Sequence, residues 1–212
     1  MVFVIIIAFM IASAIVSSRL KKKFKKYAQI PIGYGLSGKE IAEKMLHENG
    51  IYDVSVVSVQ GQLTDHYNPA KRTVNLSPEV YNGQNVSAAA VAAHECGHAI
   101  QHATAYTWLE FRSALVPIQN VSAKVINFMV MMMFFGAFLL PNLIPFDFAI
   151  LIIIACYSIF TLFSFITLPV EIDASKRALN WLSTTGITDS GNHDKAVDAL
   201  KSIDYFGHSD VI

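Results

Sequence analysis

Hydrophobic positions along this chain fall into two kinds of pattern, unbroken runs and periodic stretches, and the runs are long. Residues 1–18 carry no charged side chain, and between Val125 and Val170 the single acidic or basic side chain is Asp147. A bilayer core of roughly 30 Å is crossed by ~20 apolar residues in a helix. The pattern therefore predicts three membrane helices: residues 1–18, Val125–Leu140 and Phe148–Leu168. Pro141-Asn142-Leu143-Ile144-Pro145 breaks the second run, which makes its two halves a helical hairpin.

The periodic stretches read differently. Ser37 is a candidate N-cap for a helix with Ile41, Met45 and Leu46 on one face, ending at Gly50. Val54, Val56, Val57, Val59, Leu63 and Thr73-Val74-Asn75-Leu76, punctuated by Gly61 and Tyr67-Asn68-Pro69, predict two or three short strands. Ser87 is a candidate cap for an alanine-rich helix running to about Ala103. Glu95, His98, Gln101 and His102 make that helix too polar to cross a bilayer. The expected fold is an α+β membrane protein, mainly helical. Residues 1–18 are the anchor, 27–124 a cytosolic domain with a short sheet and a metal-binding helix, 125–170 the hairpin, and 171–212 a second cytosolic helical segment.

Charge fixes the expected orientation. Arg19, Lys21, Lys22, Lys23, Lys25 and Lys26 directly follow the first run and no basic residue precedes them. A cleaved secretory signal has its positive residues in front, so a retained anchor is expected. Positively charged loops stay cytoplasmic, which puts the N-terminus outside and both polar halves inside. Composition narrows the partners. The chain has 212 residues, 53% of them hydrophobic, and its 16 Lys+Arg balance 16 Asp+Glu. A bilayer and a polypeptide are the expected partners, and no overall basic field exists to hold nucleic acid. Cys96 and Cys156 are too few for a disulfide framework.

The chemistry is carried by His94-Glu95-Cys96-Gly97-His98, an H-E-x-x-H motif on a predicted helix. Residues four apart lie about 40° apart around the axis and about 6 Å along it, so His94 and His98 can converge on one metal. Glu95, beside the first histidine, can reach a metal-activated water as general base without being a ligand. Zinc lowers the pKa of such a water toward ~7, and the expected reaction is amide hydrolysis.

A catalytic zinc wants a third protein ligand. His102 lies another ~6 Å along the helix from His98, too far to share the ion, and reads as a polar neighbour. The extended motif that needs Gly at 101 and His at 104 is excluded by Gln101 and Thr104. Glu171, the first carboxylate after the last span, is the candidate third ligand or else an interfacial charge. Ala174, one turn on, is small enough to admit the metal helix. Glu110 is the runner-up ligand. Asp173 is a candidate to orient one histidine, or a solvated side chain.

Four stretches, GLSGKEIAEKML (35–46), LTDHYNP (63–69), VAAHECGHAIQH (91–102) and LPVEIDASKRAL (168–179), together with the order of spans, resemble the YugP-like neutral zinc metallopeptidases of bacterial membranes. The resemblance implies zinc held by His94, His98 and Glu171 with Glu95 catalytic. Related gluzincin-type enzymes continue the ligand glutamate as E-x-x-A-D. Here Ser175 stands at the aspartate position, and Asp173 is the expected substitute. Asp65-His66 falls within a family-like stretch, as a turn-stabilising pair or as part of a substrate cleft, and Tyr67 is a candidate oxyanion donor.

The expected function is a membrane-anchored zinc metallopeptidase that cuts membrane-associated or misfolded proteins on the cytoplasmic side. The alternative is a non-catalytic adaptor in which zinc only clamps the soluble domain, although a purely structural site closes with four protein ligands and needs no Glu95.

Overall fold

The computed structural model describes residues 2–139 and 145–206. The chain divides into two compact units, Met1–Thr104 with Glu171–Ile212, and Ala105–Val170. It is mainly helical, with one small sheet.

The first unit opens with α1 (Val2–Tyr27), a single helix through the apolar run and the lysines. Helix α2 (Gly38–Glu48) begins as its sequence demands. The Ser37 hydroxyl accepts from the Glu40 N–H, and the Glu40 carboxylate accepts from the Ser37 N–H, a reciprocal cap. It ends where Gly50 takes φ +73°, a conformation open to glycine without a Cβ penalty.

Three strands follow: β1 (Ser55–Ser58), β2 (His66–Asn68) and β3 (Thr73–Leu76). The order is β1-β3-β2, with β1 parallel and β2 antiparallel to β3, and Tyr67 paired to Val74. The one-turn helix α3 (Pro78–Tyr81) comes next, and then α4 (Val86–Ala103). Its cap is Asn85 rather than Ser87. The Asn85 side-chain oxygen accepts from the Ala88 N–H and from the Ser87 hydroxyl, which places Ser87 inside the first turn.

Every residue of α4 from Val86 to Gln101 is buried. Alanines at 88, 89, 90, 92, 93 and 99 give this helix a thin profile. Ile41, Met45 and Leu46 from α2, Val74 and Leu76 from β3, and Leu182 and Leu200 from later helices close around it in one core. The apolar character of α4 thus serves a protein interior, which is why its polar residues survive in it.

The second unit contains α5 (Thr107–Leu139) and most of α6 (Phe146–Thr184), which continues into the first unit; α7 (His193–Phe206) follows there. Helix α5 starts well before Val125, so the apolar run is the later part of a longer helix. The segments Thr107–Met133 and Asp147–Thr184 are long and apolar enough to cross a membrane. Only 11% and 17% of their most apolar stretches is buried, unlike the core helices of a soluble globule. Residues 140–144, the expected hairpin turn, lie outside the described residues.

Candidate metal centre

His94 and His98 sit one turn apart on α4, and both are buried. Their rings stand edge to face at 86°, centroids 4.8 Å apart, with the two Nε2 atoms separated by 3.2 Å. Glu171 enters from α6. Its Oε2 lies 3.2 Å from Nε2 of His94 and 3.3 Å from Nε2 of His98. A tetrahedral zinc with bonds of about 2.0–2.1 Å spaces its ligand atoms roughly 3.3–3.4 Å apart, so the triangle has the dimensions of one face of that tetrahedron. Among the described residues, these three side chains are the group able to hold a metal ion.

The proton inventory agrees. Gln101 is fully buried and its Nε2 donates to Asp173 Oδ2 at 2.8 Å. A carboxylate only accepts, so the amide orientation is fixed and Gln101 Oε1 faces Nδ1 of His98 at 3.0 Å. Nδ1 must then carry a proton and donate, and in the neutral ring, the form that binds a metal, this directs the Nε2 lone pair at the Glu171 carboxylate oxygen. Lone pairs meeting at this separation in a buried site call for a shared cation. Arg177 Nε holds Asp173 in turn, 2.6 Å from the same Oδ2.

His94 is oriented by a different partner. Its Nδ1 lies 2.9 Å from Ser175 Oγ, so the serine at the aspartate position meets the imidazole itself. Asp173 does not substitute for it and reaches the other histidine through Gln101. Gln101 is the residue that sequence reasoning passed over. Its spacing of three from His98 puts it on a neighbouring helical face, which is the local signal that could have found it.

Glu95 is buried beside His94, and its Oε2 accepts from the Tyr67 N–H at 3.0 Å. That N–H belongs to β2, an outer strand of the sheet, so strand and helix together fix the carboxylate. The Tyr67 hydroxyl is paired with Nδ1 of His102 at 2.9 Å. His102 is thus a polar neighbour. Asp65 accepts from the N–H of Ser77 at 2.7 Å and from its hydroxyl, which is the turn-stabilising role. Burial, with the Glu95 charge nearby, pushes Asp65 up to about 6 against the pull of Ser77.

Burial also pushes the Cys96 thiol well up, and its Sγ faces the Ala42 carbonyl, so it stays a protonated packing group. Asp147 and Glu110 are exposed, each in the first turn of its helix in the second unit.

A family model described as "Putative neutral zinc metallopeptidase" matches residues 2–205. The chain belongs to that family. It is also 38% identical over 184 residues to the "Putative membrane protease YugP" of Bacillus subtilis (strain 168), covering 87% of this chain and 78% of the relative. No solved structure matches it. Membership agrees with the donor set, since two imidazoles and one carboxylate suit zinc and leave a fourth position open.

Proposed function

We propose that the protein is a membrane-anchored zinc endopeptidase in which His94, His98 and Glu171 hold the ion and Glu95 is the general base. The observation that carries this reading is the His94–His98–Glu171 triangle, of zinc-ligand dimensions, with the buried carboxylate of Glu95 next to it in sequence and held in place. Zinc there supplies Lewis acidity, lowering the pKa of a coordinated water to ≈ 7 and polarising a peptide carbonyl.

The chain's own groups do the rest. Glu95 has one oxygen tied to the Tyr67 N–H, and its carboxylate takes the proton of water attacking the peptide carbonyl. It returns that proton to the departing amine as the C–N bond breaks. Ser175 and the Gln101–Asp173–Arg177 chain keep the histidine rings aimed. The outer strand β2 lies beside Glu95, so an extended polypeptide is the substrate class that fits.

The membrane reading adds α1 to the two candidate spans, with the N-terminus outside and the site cytoplasmic. The paired crossings are supported by Glu171 meeting His94 and His98, because two crossings between Ala103 and Glu171 return the chain to its starting side, and the cytoplasmic side by the basic cluster from Arg19 to Lys26. Substrates are then membrane-associated or misfolded proteins within reach of the bilayer.

The Glu95→Gln variant, purified with its metal, tests the mechanism. Zinc content equal to the native protein and loss of peptide cleavage are expected. Unchanged hydrolysis overturns the assignment of Glu95, and a site closed by four protein ligands with no turnover would favour the adaptor.

A further inference from the structure

Helix α1 sorts its basic residues by face. At ~100° per residue, Leu20, Lys23, Phe24 and Tyr27 fall within an arc of about 100°, and Arg19, Lys21, Lys22, Lys25 and Lys26 span an arc of roughly 160° opposite. Burial follows that division. The first four are buried or half-buried and the other five are all exposed. Phe24 and Tyr27 pack on the core. Lys23, the lysine on the inner arc, has a dedicated carboxylate on α7. Its Nζ lies 2.8 Å from Asp198 Oδ1, while the Tyr27 hydroxyl donates to Oδ2 at 2.5 Å.

The outer five have no such provision. No acidic residue precedes Glu40 in the sequence, and among the described residues the ion pairs of α1 stop at Lys23. Lys21 with Lys25, and Lys22 with Lys26, are like charges at a spacing of four, which repel. Lys26 lies 5.3 Å from the Tyr27 ring centroid and acts on Asp198 only at longer range, without an ion pair of its own. The face is therefore unfavourable alone and relieved by external anions.

Its position names the anion. Ile7, Met10, Ile11 and Ile15 are largely exposed on the same continuous helix, so bare apolar surface leads straight into the charged face. Residues 21–26 lie ~5–12 Å past Ser18 along the axis, beginning inside the roughly 5–8 Å headgroup layer of one leaflet and ending just past it, within reach of long side chains that snorkel back. We propose that the face formed by Arg19, Lys21, Lys22, Lys25 and Lys26 binds the headgroups of anionic phospholipids. Lys23 takes no part because Asp198 already neutralises it.

The test uses the full chain in nanodiscs of phosphatidylcholine and phosphatidylglycerol, with spin-labelled versions of each lipid reporting their association at the protein. Preference for phosphatidylglycerol of about fivefold at low salt is expected, the equivalent of one basic residue's attraction, declining as salt is added. Replacing the outer five by Gln should abolish it and exchanging Arg and Lys among them should preserve it, while removing the Lys23–Asp198 pair together, as Lys23→Gln with Asp198→Asn, should leave it unchanged. A nanodisc has no inside or outside, so a role of the lysines in topology alone gives no preference. Equal association of the two lipids overturns the proposal, as does a preference that survives replacement of the outer five or falls equally when the Lys23–Asp198 pair is removed. The proposal rests on α1 as a membrane anchor. Recovery of the chain in the soluble fraction would defeat that reading as well, whereas a lipid-embedded chain without preference defeats the headgroup site alone.

Discussion

Gly97 lies against the backbone of Ala174, so close that a Cβ at 97 would sit 2.6 Å from the Ala174 carbonyl oxygen. This contact joins the helix carrying the two histidines to the helix carrying Glu171, with Gly97 between His94 and His98 and Ala174 about one turn past Glu171. A side chain between them would force the helices apart, and the 3.2–3.3 Å separations of the ligand atoms leave little room for that. Gly97→Ala should cost about 1–3 kcal/mol through overpacking against backbone that cannot yield. It should also lower zinc content. Thermal unfolding and metal analysis of the purified variant check both, and full zinc occupancy in Gly97→Ala would contradict the argument.

Gln101 transmits the charge of Asp173 to His98 while fixing which ring nitrogen bears the proton. Gln101→Leu retains the volume but removes the acceptor at Nδ1, and zinc affinity should fall about 10–100-fold. Arg177→Gln acts one link farther out and should cost less. Competition with a chelator of known affinity measures both. Cleavage at saturating zinc should recover largely in either variant, because the groups that touch substrate are intact.

Asp65 gives a pH signature. Its folded pKa is raised by burial to about 6 from 3.8. Between those values the folded chain binds more protons than the unfolded one, so this group's contribution to stability falls as pH rises through the window. Asp65→Asn keeps an acceptor for the Ser77 N–H and removes the titration. Between about pH 4 and about pH 7 the variant should gain about 2 kcal/mol relative to the native protein. Unfolding of both at the two pH values checks the sign, because changes shared by the metal ligands cancel in the difference. A variant that loses ground as pH rises would contradict it.

The parts of this site that were legible in the sequence are those set by local helical geometry or by chain direction. The i,i+4 spacing brought His94 and His98 together, and the reading that both polar halves share one side singled out Glu171. Ala174 as a small residue facing the metal helix also followed. The rest depends on which atoms of different elements meet. Asp173 was expected at a histidine, but Ser175 reaches His94 and Asp173 works through Gln101, a distinction of side-chain reach. Asn85 rather than Ser87 caps α4, because both are good caps and only the backbone's entry decides. The Tyr67 N–H on Glu95 depends on β2 lying at the edge of the sheet, and the order β1-β3-β2 is not written in strand propensity.

The central claim is that one zinc ion is shared by His94, His98 and Glu171. X-ray absorption at the zinc edge of the purified full chain measures its ligand shell directly. The account expects nitrogen and oxygen neighbours alone at about 2.0–2.1 Å, with two imidazole signatures that persist in Glu95→Gln and are lost or halved in Glu171→Gln. A sulfur neighbour near 2.3 Å, or a shell unchanged by Glu171→Gln, would contradict it.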